Sequence, residues 1–116
     1  MSLSLGNVTV DCTDAATLAG FYAALLSLEV APGASEYFAT VGSGPVLMFI
    51  KVPDPTPGKN RVHLDLHTTE IPEHVARAVA LGAKHVDDFA EYGAVWTTLT
   101  DPEGNVFDIG NGGSAY

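Results

Sequence analysis

Asn7-Val8-Thr9-Val10-Asp11 and His63-Leu64-Asp65-Leu66-His67 are two versions of one short strand, and the relation between them decides the fold. Each alternates polar and apolar residues, the period of a strand with one face buried. Set one on the other at an offset of 56 positions, from 7 to 63, and Leu25 falls on Leu81 without a gap. The far ends match too. Val46-Leu47-Met48-Phe49-Ile50 meets Gly104-Asn105-Val106-Phe107-Asp108 at an offset of 58, from 50 to 108, so two inserted residues absorb the difference. The chain reads as a duplicated half-domain, with Asn7 corresponding to His63 and Ile50 to Asp108. A site on the pseudo-twofold axis between the copies would draw on all four.

Outward from these strands the order βαβββ appears twice. In the first copy Thr13 or Asp14 can cap a helix running from Ala15 to Leu28, where Leu18, Phe21, Tyr22, Leu25 and Leu26 recur at helical spacing. Short strands are expected at Leu28 to Ala31, Tyr37 to Val41 and Val46 to Val52, separated by Pro32-Gly33 and Gly42-Ser43-Gly44-Pro45. Pro53-Asp54-Pro55-Thr56-Pro57-Gly58 denies ladder hydrogen bonds and reads as a linker. The second copy has a strand from Arg61 to His67 and a helix opening near Pro72, with Val75, Ala78, Val79 and Leu81 apolar and Gly82 as its stop. Strands at Val86, Ala94 to Leu99 and Val106 to Ile109 follow, the last two joined through Asp101-Pro102-Glu103-Gly104-Asn105, and the tail from Gly110 is loose. The boundaries are 5–52 for the first module, 53–60 for the linker and 61–110 for the second. The fold class is α+β.

Composition narrows the partners. At 116 residues the chain is one domain that can bury a core without staples, and Cys12, its only cysteine, excludes an intrachain disulfide or a cysteine zinc cage. Five Lys and Arg against fourteen Asp and Glu give a net charge of −9, which repels nucleic acid and anionic lipid. No apolar run approaches the roughly 20 residues of a membrane span, and no secretory leader is evident, so the expected location is the cytoplasm.

Strand periodicity places His63, Asp65 and His67 on one face and Val62, Leu64 and Leu66 on the other. The apolar face must meet the helices. The opposite face then carries Asn7, Thr9 and Asp11 from the first copy, and Val106 and Asp108 from the last strand. Met48, Ile50, Trp96 and Thr98 add an apolar and aromatic wall. Apolar lining with a few convergent polar groups is the make-up of a small-molecule pocket. A plain polar ladder on a half-wet face explains His67 equally well. His74, His85 and the pair Asp87-Asp88 read as solvated surface, the pair as a turn.

The chain resembles the vicinal oxygen chelate superfamily of glyoxalases, bleomycin-resistance proteins and extradiol dioxygenases, and within it the short glyoxalase-like domains. The likeness rests on Asp14 with Leu18, Phe21 and Tyr22, on Lys59-Asn60-Arg61-Val62-His63-Leu64-Asp65-Leu66, on Ala80-Leu81-Gly82-Ala83, and most of all on Trp96-Thr97-Thr98-Leu99-Thr100-Asp101-Pro102-Glu103-Gly104-Asn105-Val106-Phe107-Asp108. It implies two βαβββ modules forming a curved, cup-shaped mixed sheet with helices on the convex side. It also implies metal ligands at positions matching Asn7, Ile50, His63 and Asp108. Ile50 cannot bind a cation and Asn7 offers only a neutral amide. A catalytic metal usually has three protein ligands and an open position, so His63 and Asp108 alone are too few for an obligatory ion. No cofactor is expected beyond a weakly bound divalent metal.

Three function classes follow from the site residues. The first is a binder of a small, largely apolar molecule. The second is a lyase, isomerase or dioxygenase-type enzyme using His63, oriented by Asp108 or Asp65, as acid, base or metal ligand. The third is a non-catalytic structural module. A homodimer is expected, since strand edges at both ends of a short cup and 47% apolar residues call for cover by a second copy.

Overall fold

The computed structural model describes residues 5–54, 63–91 and 93–111. The chain divides into two compact units, Met1–Thr56 and Pro57–Tyr116, each with its own sheet and helix. Arg61 and Val62, most of the linker and the tail beyond Asn111 lie outside the described residues.

In the first unit, β1 (Asn7–Cys12) pairs in parallel with β3 (Val46–Lys51), and β2 (Phe38–Val41) pairs antiparallel with β3, giving the order β1-β3-β2. Between β1 and β2 runs α1 (Ala15–Leu26). Asp14 starts it: its carboxylate accepts a hydrogen bond from the Thr17 amide at 3.1 Å. Ser27 ends it in the left-handed region, at φ 57°, with the Leu28 amide returning to the Ala23 carbonyl. The helix is thus two residues shorter than its apolar spacing predicts. That early stop, followed by Pro32-Gly33, leaves Leu28 to Ala31 as a single bridge, Val30 to Val41, rather than a strand. Leu18, Phe21, Tyr22 and Leu25 are buried on α1, and Tyr22 stacks on Phe49 of β3 at 5.7 Å between ring centres. Each such apolar side chain contributes about 1.5–3 kcal/mol on burial.

The second unit follows the same plan with one more strand. Here β4 (Leu64–His67) pairs in parallel with β7 (Val106–Gly110). Then β6 (Ala94–Thr100) and β5 (Lys84–Glu91) continue antiparallel in the order β4-β7-β6-β5. The helix α2 (Ile71–Ala80) has Pro72 in its first turn, where a missing N–H costs nothing, and packs on β5, β6 and β7. Of its expected apolar face, Ala78 is fully buried while Val79 stays 47% exposed. The helix is anchored near its C-terminal end, not along its length.

Asp87 and Asp88, read as a turn, lie inside β5. A register shift between His85 and Asp87 accommodates Val86, and Asp88 turns to accept the Thr97 hydroxyl at 2.7 Å and to meet His85 Nε2 at 3.0 Å. These bonds hold the Asp88 carboxyl below its ordinary value, the Thr97 hydrogen bond contributing most. The β6–β7 turn is built on Asp101, buried, whose Oδ1 accepts the amides of Glu103 and Asn105 at 2.8 and 3.0 Å. Gly104, at φ +90°, takes the left-handed position of this turn, as its sequence suggests.

Alternation along β6 and β7 sorts the second sheet. Leu99, Phe107 and Ile109 are buried on one face, while Thr98 and Asp108 stand half-buried on the other. That other, open face carries the candidate site.

Candidate functional site

Strand register brings the polar residues of the open face into rows. Asp65 of β4 is the partner of Asp108 on β7, which is in turn the partner of Thr98 on β6. His63, one residue ahead of β4, lies on the same face as Asp65 because two residues separate them. The side chains close on one another. His63 Nδ1 is 3.1 Å from Asp65 Oδ1 and 3.7 Å from Asp108 Oδ2, and the Thr98 hydroxyl donates to Asp108 Oδ1 at 2.6 Å. Exposure falls from Asp65 at 56% through His63 at 38% to Asp108 at 17%. Asp108 is therefore the most enclosed member and Asp65 the most exposed.

The next row is aromatic. Trp96 stacks on Phe89 of β5, with ring centres 5.2 Å apart and planes within 17°. Trp96 is paired across the sheet with Gly110, and Gly110 with His67. A side chain at 110 would start 2.8 Å from the Trp96 Cβ, so glycine is what lets β7 approach beneath the tryptophan. His67 shares this row and makes no contact with His63 or Asp108 that would draw it into the charged cluster.

The first unit repeats the triangle in neutral form. Asn7 Nδ2 donates to Thr9 Oγ1 at 3.0 Å and lies 3.9 Å from Met48 Sδ, which Thr9 Oγ1 also meets at 3.8 Å. Asp11 and Ile50 are register partners further along the same face. Because Thr9 pairs with Met48 while Asp65 pairs with Asp108, the place of Asp108 is taken in the first unit by Met48. The expected correspondence of Ile50 with Asp108 is off by two residues. The offset here is 60, from 48 to 108, so four residues rather than two are inserted, and the period-two alternation of a strand cannot tell an offset of 58 from one of 60.

His63, Asp65 and Asp108 offer one imidazole nitrogen and two carboxylate oxygens, all within 4.8 Å of one another. The count of two usable metal ligands rises to three with Asp65. This donor set suits a divalent cation, with Thr98 steadying the Asp108 carboxylate from behind. It can also serve as an acid–base pair. Carboxylates beside Nδ1 favour the tautomer with the proton on that nitrogen, leaving Nε2 to accept from a ligand. Phe89 was not anticipated. Its period-two spacing from Asp87 was the available signal, masked by reading Asp87-Asp88 as a turn.

A family model described as a glyoxalase-like domain matches residues 7–110. The chain belongs to that family. Solved structures agree on the fold. A glyoxalase/bleomycin resistance protein/dioxygenase family enzyme from Burkholderia phytofirmans superposes with a TM-score of 0.80 at 23% identity, covering 94% of this chain and 98% of that one. A glyoxalase-related enzyme from Fulvimarina pelagi gives 0.76 at 18% identity, covering 95% and 88%. A lactoylglutathione lyase from Agrobacterium tumefaciens gives 0.70 at 17%, covering 97% and 96%. At these identities the likeness shows the vicinal oxygen chelate fold. No curated protein sequence matches the chain. No helix among the described residues of this glyoxalase-like domain is long and apolar enough to cross a membrane.

Proposed function

We propose that this glyoxalase-like domain binds a small, largely apolar molecule on the open face of its second module. One juxtaposition carries the reading: the stacked Trp96 and Phe89 lie one row from the His63, Asp65, Asp108 and Thr98 cluster. The aromatic pair supplies apolar contact, and the cluster supplies a few directional polar groups. His63 and Asp108 are the chemically active members, with Asp65, Thr98, Trp96 and His67 around the ligand. Asn7, Thr9, Asp11, Met48 and Ile50 form the matching face of the first module, with Asp11 the one charged member of the five. The protein is further proposed to work in the cytoplasm as a homodimer.

A catalytic reading is favoured by one feature, the Asp65 and Asp108 carboxylates that orient His63 through Nδ1. On that reading Nε2 takes or gives a proton on the bound molecule, as in lyase or isomerase chemistry. A divalent cation at the cluster would polarise a ligand oxygen.

Incubating the protein with a small-molecule cell extract, desalting it and identifying the retained compounds by mass spectrometry tests the proposal. The binder reading expects one or a few compounds held intact by the wild type and lost from Trp96→Ala. The enzyme reading expects a compound converted by the wild type and not by His63→Ala. Retention of nothing, or retention indifferent to both substitutions, contradicts the proposal.

A further inference from the structure

What flanks the stacked rings of Trp96 and Phe89 sets the charge of the molecule that fits them. On β5, Asp87 and Glu91 stand two residues either side of Phe89, so the three share the open face, with each carboxylate's position about 7 Å along the strand from the ring's. Register with β6 agrees: Asp87 pairs with Thr98, Phe89 with Trp96 and Glu91 with Ala94. On the other side of Thr98, Asp108 brings a carboxylate from β7, more enclosed than Asp65, at 17% exposure. Trp96 is thus approached diagonally by Asp87 from one neighbouring strand and by Asp108 from the other. Among the described residues the one lysine or arginine on this face is Lys84, in register with Thr100 and a row beyond Asp87.

Carboxylates alone would mark only a solvated face, and the rings make the difference. Trp96 and Phe89, both half-buried, lie with centres 5.2 Å apart and planes within 17°, and so present one joined aromatic surface. The face of an indole is electron-rich and attracts a cation, tryptophan more strongly than the other aromatic side chains. A cation over Trp96 gains from the ring and from the carboxylates on either side, while an anion is repelled by each of them. The architecture does not demand this charge. In the first unit the row Thr9, Met48 and Thr40 stands where the second has Asp65, Asp108 and Thr98, and it carries no carboxylate.

We propose that the molecule held on the open face of the second module is an organic cation, an aromatic or apolar body carrying a protonated or quaternary amine. The amine sits over Trp96 on the side toward Thr98, where Asp87 and Asp108 approach from the two neighbouring strands, and the apolar body lies along Phe89. This inference rests on the small-molecule reading and narrows it to one class of ligand.

Three indoles with side arms of equal length separate charge from ring: tryptamine, a cation; tryptophol, neutral; and indole-3-propionate, an anion. Each is titrated into the ¹⁵N-labelled full chain, and the shifts of the Trp96 indole N–H and of the Thr98 and Asp108 amides are followed. Tryptamine is expected to bind about tenfold more tightly than tryptophol, and indole-3-propionate more weakly than either. The preference for tryptamine falls severalfold in Asp87→Asn and as salt is raised, and it persists in Glu73→Gln, which removes one charge from the exposed side of α2. Glu91→Gln lowers the preference in the same direction and serves if Asp87→Asn fails to fold. Tryptophol or indole-3-propionate binding as tightly as tryptamine overturns the inference and leaves the small-molecule reading standing. A preference that Asp87→Asn and Glu91→Gln both leave intact reflects a general attraction to an acidic protein and overturns it too. Failure of all three indoles to move the Trp96 indole overturns both the inference and the reading beneath it.

Discussion

Thr98 and Asp108 are joined by a 2.6 Å hydrogen bond across the β6–β7 pair, and that bond fixes which carboxylate oxygen faces His63. The bond is half-buried and made to a charged acceptor, a class worth about 1.5–3 kcal/mol. Thr98→Val should lower unfolding free energy by about that amount in urea titrations, and Thr98→Ser should recover most of it. Equal stability of Val and Ser variants would show that the hydroxyl does not hold Asp108.

Acid sensitivity should trace to Asp88. Its carboxyl is held below the ordinary value of 3.8 by the Thr97 hydroxyl first and His85 second. A depressed carboxyl stabilises the fold above its unfolded value and loses that contribution as pH falls through the lower folded value. Asp88→Asn should therefore narrow its stability gap to the wild type below about pH 3.8, and Thr97→Val should do so in part. Parallel stability curves down to pH 2 would remove Asp88 from the account.

Gly110→Ala should be costly despite the small change. The new methyl begins 2.8 Å from Trp96 Cβ and 2.9 Å from the Val95 carbonyl oxygen, so β6 and β7 must separate. Overpacking of this kind costs about 1–3 kcal/mol. Trp96, the only tryptophan, should report it as a shift in emission. Unchanged emission and stability would mean the strands are not in close contact there.

Protein purified without chelator and desalted should retain well under one equivalent of metal, and chelator should leave its melting temperature unchanged. Three donors with one carboxylate more than half exposed hold an ion weakly. Elemental analysis showing a stoichiometric ion after desalting would contradict this.

In light scattering the protein should behave as a dimer at micromolar concentration. The edge strand β5 is exposed along nearly its whole length, with Val86 54% exposed, and calls for cover. A monomer across that range would contradict it.

The strands and helices were legible where one period dominated. Val8 and Val10, Leu18 to Leu25 and Leu64 to Leu66 each follow the spacing of their element. Legibility failed where tertiary pairing overrode local character: β5 holds two adjacent acids and a register shift, and forms because β6 lies beside it. The candidate site divides the same way. Alternation alone put His63, Asp65, Thr98 and Asp108 on one face. It could not show that Asp65 closes on His63, that Phe89 backs Trp96, or that Met48 rather than Ile50 stands in the place of Asp108, because each depends on register between strands distant in sequence.

The central claim is that the open face of the second module is where a ligand binds, and protein-observed NMR screening with a library of aromatic fragments tests it most directly. The account predicts that binding fragments shift the Trp96 indole N–H together with the amides of Asp65, Thr98 and Asp108, and that Trp96→Ala abolishes those shifts. Fragments that bind while leaving the Trp96 indole and these amides unmoved would contradict it.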